Sequence, residues 1–191
     1  MNYRIISLII MAIYYSFYIA KLLILNKKSI KTNQAGIGNK PKKVIIVERI
    51  MSIATVSTIV IEAYSILFTT LNILDGLRII GIVFGILAII FFALATITMK
   101  DSWRVGIPEE KTSLISAGIY KWSRNPAFVG FDLLYISICL MYFNLPLLLI
   151  SVFAGTMLHL QILQEEKHMQ NMFGKEYEEY KKHTLRYFGR R

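Results

Sequence analysis

Long apolar segments separated by short polar ones form the main pattern of this chain. Apolar residues dominate from Ile5 to Leu25, from about Ile50 to Leu74, and from about Leu77 to Met99. Each segment has roughly the 20 residues that an α-helix needs to cross about 30 Å of hydrocarbon. The pattern therefore predicts three membrane-spanning helices in the first half of the chain.

A fourth apolar block, Phe128 to Leu163, is too long for a single crossing. Near its middle lies the sequence Asn144-Leu-Pro146. Proline has no N–H to donate, and it disfavours helix in the residue before it. The block is therefore predicted to form a helical hairpin of two spans. We expect an all-α integral membrane bundle of about five transmembrane helices.

The C-terminal segment carries a different pattern. Met169, Phe173, Tyr177 and Tyr180 follow one another at helical spacing, which places them on one face of a helix. This favours an amphipathic helix that leaves the last span and lies on the membrane surface. A solvated tail is the alternative.

Composition and charge agree with a membrane protein. The chain is 55% hydrophobic and only 18% charged, whereas a soluble domain has roughly 25% charged residues. All but three of its 22 lysines and arginines lie in segments 26–49, 100–127 and 164–191. Because basic loops stay on the cytoplasmic side, we expect a multi-pass cell-membrane protein with its N-terminus outside and its C-terminus in the cytoplasm. The same rule explains the net charge of +10 without a nucleic-acid partner.

Several kinds of site are not indicated. The single cysteine, Cys139, lies in an apolar segment and excludes an internal disulfide. The sequence has no Cys/His spacing typical of zinc, no Walker loop and no Gly-x-Gly-x-x-Gly stretch. We therefore predict no metal site and no familiar nucleotide-binding loop.

The unusual polar residues are predicted to lie at one membrane surface. KWSRNPAFVGFD, from Lys121 to Asp132, comes before span four, and Gln164-Glu165-Glu166 follows span five. If these spans form a hairpin, Arg124 and Glu166 lie at the same depth and can line one pocket. The simpler interpretation is that Arg124 reaches lipid phosphates while the glutamates end a helix. Taken one by one, these residues identify no reaction.

Taken together, the motifs are more specific. The run SAGIYKWSRNPAFVG, from Ser116 to Gly130, resembles the Arg-His-Pro-x-Tyr region of the isoprenylcysteine carboxyl methyltransferase and phospholipid methyltransferase superfamily. The resemblance continues through the glutamate pair to FGKEYEEY at 173–180 and to Arg-aromatic-Phe at 186–188. Ser102-Trp103 resembles the Asn/Ser-Trp sequence that precedes this core. We therefore divide the chain into three N-terminal helices (1–99) and a methyltransferase core (100–191).

The resemblance implies an integral membrane methyltransferase that uses S-adenosylmethionine (SAM) in a cytosol-facing pocket. It implies a lipophilic or prenylated acceptor that reaches the pocket from the bilayer. By the same resemblance the cofactor-binding residues are Gly118, Tyr120, Arg124, Asn125, Pro126, Phe128, Gly130, Glu165 and Glu166. The expected catalytic residues are Arg124, Glu166 and Arg186.

Two residues depart from the family pattern. Asn125 replaces the histidine and Phe128 replaces the tyrosine. Asparagine still forms hydrogen bonds but cannot titrate, so a proton-handling role at this position is lost. Phenylalanine keeps the aromatic face and loses the hydroxyl.

Several acceptors and functions stay open. The favoured reaction is O-methylation of an isoprenylcysteine-like carboxylate or a related lipid. A carboxylate needs no general base, whereas a phenol or amine requires one, for which Glu166 and His168 are candidates. Phospholipid N-methylation, a nicotinamide-dependent reductase of the sterol-reductase type and a non-catalytic membrane accessory protein are the alternatives. Glu62 is a candidate for a substrate tunnel, because carboxylates inside spans usually face a cavity or a partner.

Overall fold

Six α-helices build the protein in the computed structural model, which describes residues 2–108 and 113–191. They are α1 (Tyr3–Lys27), α2 (Lys42–Phe68), α3 (Asp75–Met99), α4 (Pro126–Met141), α5 (Leu145–Phe173) and α6 (Lys175–His183). Short 3₁₀ turns follow α3 at Lys100–Ser102 and precede α4 at Gly118–Lys121. The prediction of an all-α membrane bundle is confirmed.

The number of full-length spans differs from the prediction of five. Four helices, α1, α2, α3 and α5, are long and apolar enough to cross a membrane. The apolar helix α4 has only 16 residues, so it is about 24 Å long at 1.5 Å per residue. The predicted span four is therefore a short helix that begins at Pro126.

The second span lies earlier in the chain than predicted. Helix α2 begins at Lys42, directly after Pro41, which occupies the N-cap position. It ends at Phe68 rather than at Leu74. Residues 42–49, predicted to belong to the basic loop, are helical. Beyond Phe68 come two threonines, whose β-branched side chains disfavour a helix. The Asn144 amide also donates to the Ser65 and Thr69 hydroxyls at 2.8 and 3.0 Å.

The predicted hairpin is present at Asn144. The Asn144 side chain caps α5 by accepting a hydrogen bond from the Leu147 N–H at 2.9 Å. Pro146 occupies the first turn of α5, where no N–H is needed. Helix α5 then continues past Leu163 to Phe173. Gly174 ends it with a φ of +50°, a conformation that glycine adopts at little cost. The predicted amphipathic helix is therefore divided between the end of α5 and the separate α6.

Small residues let α3 and α4 approach closely. Gly81, Gly85 and Ala88 lie along one side of α3, and the Ser137 hydroxyl of α4 donates to the Gly81 carbonyl at 2.6 Å. A Cβ on Gly130 of α4 would stand 3.2 Å from the α3 backbone. Such small-residue contacts are typical of membrane helix pairs. Helix α2 packs mainly on α5, and α1 packs mainly on α3.

The chain direction gives the bundle two ends. We call the end that carries segments 28–41, 100–108, 113–125 and 174–191 the basic face. The other end, which carries the chain start and segments 69–74 and 142–144, is the opposite face. An aromatic cluster that includes Tyr14, Phe92 and Phe131 fills the bundle between them.

Candidate active site

A cavity of about 330 Å³ lies at the basic face of the bundle. Its wall is formed by residues from all six helices together with residues 102–108, 113–115 and 120–125. Six of the predicted site residues line it: Tyr120, Arg124, Asn125, Phe128, Glu165 and Glu166. A volume of this size lies within the range of small-molecule sites, about 300–1,000 Å³. The segments that carry the recognised motifs thus surround one cavity.

Glu166 stands between two arginines in the wall of this cavity. Arg124 donates from Nε and Nη2 to Glu166 Oε1 at 3.1 and 2.7 Å. Arg186 donates from Nε and Nη2 to Glu166 Oε2 at 3.1 and 2.9 Å. The Asn125 amide adds a contact of 3.3 Å to Oε1. Both carboxylate oxygens are therefore occupied by protein donors.

The C-terminal tail is fastened to the segment that precedes α4. Arg124 uses its backbone N–H to bond the Leu185 carbonyl at 3.1 Å and its Nη1 to bond the Thr184 carbonyl at 2.6 Å. The Asn125 amide donates to the Arg186 carbonyl at 3.2 Å. Gly189 N–H donates to the Trp122 carbonyl at 2.7 Å. The tail therefore holds the segment before α4, and with it the Arg124 side chain, in place.

Glu165 differs from its neighbour in its bonding. Its carboxylate accepts from Gln161 Nε2 at 3.0 Å, and no described Lys, Arg or His nitrogen lies within 4.0 Å of it. Because Glu165 also lines the cavity, it is the member of the pair that can accept hydrogen bonds from a ligand.

Arg124 also retains bonding capacity toward the cavity. Its bonds to Glu166 and Thr184 use one N–H on each of Nε, Nη1 and Nη2, and the Tyr177 hydroxyl is a further neighbour. Of the five N–H groups of the guanidinium, at least one is therefore left for a ligand. The side chain is only 9% exposed. A buried guanidinium with an unused donor is suited to an anionic group of a ligand.

Three tyrosines in the wall remain protonated at neutral pH. Burial raises the pKa of Tyr177 to about 12. Burial also raises the pKa of Tyr120 and Tyr180 above the usual value for tyrosine. The Tyr180 hydroxyl donates to the Tyr120 carbonyl at 2.6 Å. The Tyr120 and Tyr177 hydroxyls can donate hydrogen bonds to a ligand, but all three tyrosines are poorly suited to act as general bases.

Four of the predicted site residues lie outside the cavity lining: Gly118, Pro126, Gly130 and Arg186. Gly118 packs on Thr98, and Gly130 packs on α3, so neither glycine brings the backbone close to a ligand in the cavity. Pro126 occupies the first turn of α4. Arg186 reaches the cavity only through Glu166. The glutamate pairing raises the pKa of Arg186, so the guanidinium remains charged.

A second buried carboxylate, Glu48, was not predicted. It is fully buried, pairs with Lys40 Nζ at 2.8 Å, and accepts from the N–H groups of Gly36 and Ile107 at 2.7 Å each. Gly106, at a φ of +82°, packs against the same carboxylate. Glu48 thereby joins the basic loop to the 102–108 part of the cavity wall. The only sequence signal was an acidic residue beside an apolar run that continues into span two.

The deeper part of the cavity is mainly apolar. Tyr15 and Tyr18 of α1, Val56 and Ile59 of α2, and Phe131 of α4 line it. The Tyr15 hydroxyl donates to buried Glu62 at 3.3 Å. Glu62 itself does not line the cavity, so a direct role in a substrate tunnel stays a prediction.

The comparison with known families agrees with this architecture. A family model described as phospholipid methyltransferase matches residues 76–176, which is more than half of the chain. The chain therefore belongs to the phospholipid methyltransferase family, part of the isoprenylcysteine carboxyl methyltransferase-like group of membrane methyltransferases. The matched region runs from α3 through the start of α6 and includes Arg124, Glu165 and Glu166. No curated protein matches the chain.

Proposed function

We propose that the protein is a SAM-dependent methyltransferase that modifies a lipophilic acceptor delivered from the bilayer. The observation that carries this proposal is a single cavity that combines polar groups at the basic face with an apolar interior between membrane helices. A cofactor from solution and a lipid from the membrane can meet in such a cavity. Membership of a membrane methyltransferase family supports the same reaction.

The residues present fit the cofactor. SAM carries a carboxylate, an ammonium group, ribose hydroxyls, an adenine ring and a sulfonium. Arg124 has an unused N–H donor for the carboxylate, and Glu165 can accept from the ammonium or ribose groups. Tyr120 and Phe128 offer aromatic faces for the adenine or the sulfonium. In this proposal Glu166 and Arg186 are positioning residues that hold Arg124 and the tail.

The bound cofactor supplies an activated methyl group, so the chain needs no covalent nucleophile of its own. The task left to its residues is to align the acceptor atom with the methyl carbon and to exclude water. Trp103, Ile107 and Phe128 provide an apolar wall for this purpose.

The acceptor is proposed to enter between α1 and α2. Both helices contribute to the deep wall, and Val56, which lines it, is 60% exposed. This places part of the wall at the lipid-facing edge of the bundle. An acyl or prenyl chain can lie along Tyr18 and Ile59 while its head group points toward the basic face.

We favour O-methylation of a lipophilic carboxylate. This nucleophile has no proton to lose, so the site needs no general base for it. N-methylation of a lipid amine is the second candidate. It is favoured by Glu165, whose carboxylate can bind an ammonium, and by His168, which also lines the cavity and can accept a proton.

The orientation that completes this proposal places the basic face in the cytoplasm of a cell-membrane protein. The grouping of lysines and arginines at that face supports it. The cofactor would then be taken from the cytosolic pool.

The direct test is transfer of a radiolabelled methyl group from SAM into a membrane lipid extract by the purified protein. Mass spectrometry of the labelled lipid would distinguish a methyl ester from a methylated amine by its lability to mild base. We expect labelling by the native protein and at least a tenfold reduction in Glu165→Gln, with Glu179→Gln on the exposed side of α6 as the control. Equal labelling in all three proteins, or none above a protein-free blank, would contradict the proposal.

A further inference from the structure

A second cavity lies at the opposite face, away from the proposed methyl-transfer site. Its volume is about 610 Å³, and it forms where the starts of α1 and α3 meet the ends of α2 and α4. Arg4 and Arg78 both line it, together with Asn2, Asn72 and Tyr142. These are two of the three basic residues that lie outside the basic segments of the sequence. A pair of arginines in one cavity on this face is not explained by topology.

The described residues supply few hydrogen-bond acceptors and no neighbouring carboxylate to the two guanidinium groups. Arg4 Nη2 donates to the Thr69 carbonyl at 3.3 Å. The Arg78 guanidinium lies 5.1 Å from the centre of the Tyr3 ring, and its buried Nε has no hydrogen-bond partner among the described residues. No described carboxylate oxygen lies within 4.0 Å of either arginine. Asp75, in the first turn of α3, lies near Tyr3.

A second unsatisfied donor belongs to the same cavity. Tyr142 is only 3% exposed, and its hydroxyl has no partner within hydrogen-bonding geometry among the described residues. The neighbouring Ser7 hydroxyl donates to the Tyr3 carbonyl at 2.9 Å. Buried polar groups in proteins are nearly always bonded to protein, water or ligand. The convergence of a buried hydroxyl with a buried guanidinium N–H therefore indicates that something else completes this site.

The chemistry of the donors identifies the class of ligand. Guanidinium groups bind phosphate through paired, charge-assisted hydrogen bonds. The N-terminal end of α1, whose first turn carries no acidic residue, points toward this face and adds positive potential to that of the arginines. We propose that this cavity binds a phosphate oxyanion, carried by the headgroup of an anionic membrane lipid or free in solution. The exposed side chains of Leu71 and Leu74 beside it can contact the acyl chains of such a lipid.

The proposal does not depend on methyl transfer, because none of these residues lines the cavity at the basic face. It can be tested by native mass spectrometry of the detergent-purified protein at constant ionic strength. The probes are inorganic phosphate, short-chain phosphatidylglycerol and short-chain phosphatidylcholine. The proteins are the native chain, the double variant Arg4→Gln/Arg78→Gln, and the matched double variant Lys42→Gln/Lys43→Gln, which removes two exposed charges at the basic face.

We expect the native chain and the lysine variant to retain phosphatidylglycerol, and the arginine variant to bind it at least tenfold more weakly. Binding of inorganic phosphate with the same dependence on Arg4 and Arg78 would show that the free oxyanion suffices. Binding of the lipid without inorganic phosphate would assign the site to a headgroup. Equal binding by the native chain and the arginine variant would overturn the proposal.

A second variant guards against misfolding. Arg78→Lys keeps the charge but loses the planar pair of donors, so it should fold normally and bind the same probe about threefold more weakly or worse. If Arg78→Lys and Tyr142→Phe, both with native melting temperatures, bind as tightly as the native chain, the proposed site is also refuted.

Discussion

Replacement of Glu166 by glutamine tests the pairing that holds the candidate site together. The substitution removes the negative charge between Arg124 and Arg186 while preserving the size of the side chain. One guanidinium loses its acceptor, because the amide nitrogen of glutamine cannot accept a hydrogen bond. Neither arginine then has a carboxylate partner among the described residues.

The size of the effect follows from the burial of the two pairs. Breaking a fully buried ion pair costs about 3–5 kcal/mol, whereas an exposed pair is worth about 0–1 kcal/mol. Arg124 is 9% exposed and Arg186 is 37% exposed. We therefore expect a loss of about 2–4 kcal/mol, since one pair is buried and the other is partly screened by solvent. For a chain of this size the melting temperature should fall by roughly 5–15 °C.

Two measurements check this expectation. Scanning fluorimetry reports the melting temperature, and limited trypsin digestion reports release of the tail, because cleavage after Arg186 requires the tail to leave its contacts. Glu179→Gln is the control, since Glu179 pairs with the exposed Lys182 and should change stability by less than about 0.5 kcal/mol. We expect cleavage after Arg186 to accelerate at least tenfold in Glu166→Gln. A melting temperature and digestion rate equal to those of Glu179→Gln would refute the reasoning.

Three further variants probe the supports of the site. Glu48→Gln leaves Lys40 buried without its carboxylate and should destabilise the protein by about 3–5 kcal/mol in thermal unfolding. Gly130→Ala places a methyl group 3.2 Å from the α3 backbone and should destabilise the protein by about 1–3 kcal/mol. Gly76→Ala is the control, because its methyl group meets no atom within 4 Å. We expect it to be neutral or to stabilise the protein by up to about 1 kcal/mol. Tyr180→Phe removes the 2.6 Å bond to the 118–121 turn and should cost about 1 kcal/mol, measured as a lower melting temperature.

Each of these variants has an outcome that contradicts its reasoning. Asp101→Asn breaks the exposed pair with Lys28 and serves as the control for Glu48→Gln. Equal melting temperatures of these two variants would show that the buried pair stabilises the protein no more than the exposed one. Equal effects of alanine at Gly130 and Gly76 would contradict the close contact of α3 and α4. An unchanged melting temperature in Tyr180→Phe would show that the Tyr180 hydroxyl does not stabilise the packing of α6 on the 118–121 turn.

The sequence predicted the juxtaposition of Arg124 and Glu166 correctly, although 42 residues separate them. This was possible because a hairpin of two apolar helices returns the chain to the depth at which it entered. The same argument did not reveal that both oxygens of Glu166 are occupied, which leaves Glu165 as the available acceptor. The tail residues that bond to Arg124 and Asn125 are brought there by the turn at Gly174. No periodic pattern in the sequence specifies the direction in which the chain leaves that turn.

Glu48 and the small residues of α3 show why other features were not predicted. Glu48 bonds backbone N–H groups from two separate loops, and backbone donors are the same for every sequence. Gly81, Gly85 and Ala88 lie in a helix that is apolar on all sides, so hydrophobic periodicity does not identify the face that packs on α4. The short length of α4 could not be predicted, because only a few residues separate its apolar sequence from that of α5.

Calorimetry with S-adenosylhomocysteine, the product form of the proposed cofactor, tests the central claim most directly. We expect the detergent-purified protein to bind it, Glu165→Gln to bind it at least tenfold more weakly, and neither protein to bind NADPH. Binding of NADPH without S-adenosylhomocysteine, or binding of S-adenosylhomocysteine that is equally tight in Glu165→Gln, would contradict the assignment of this cavity.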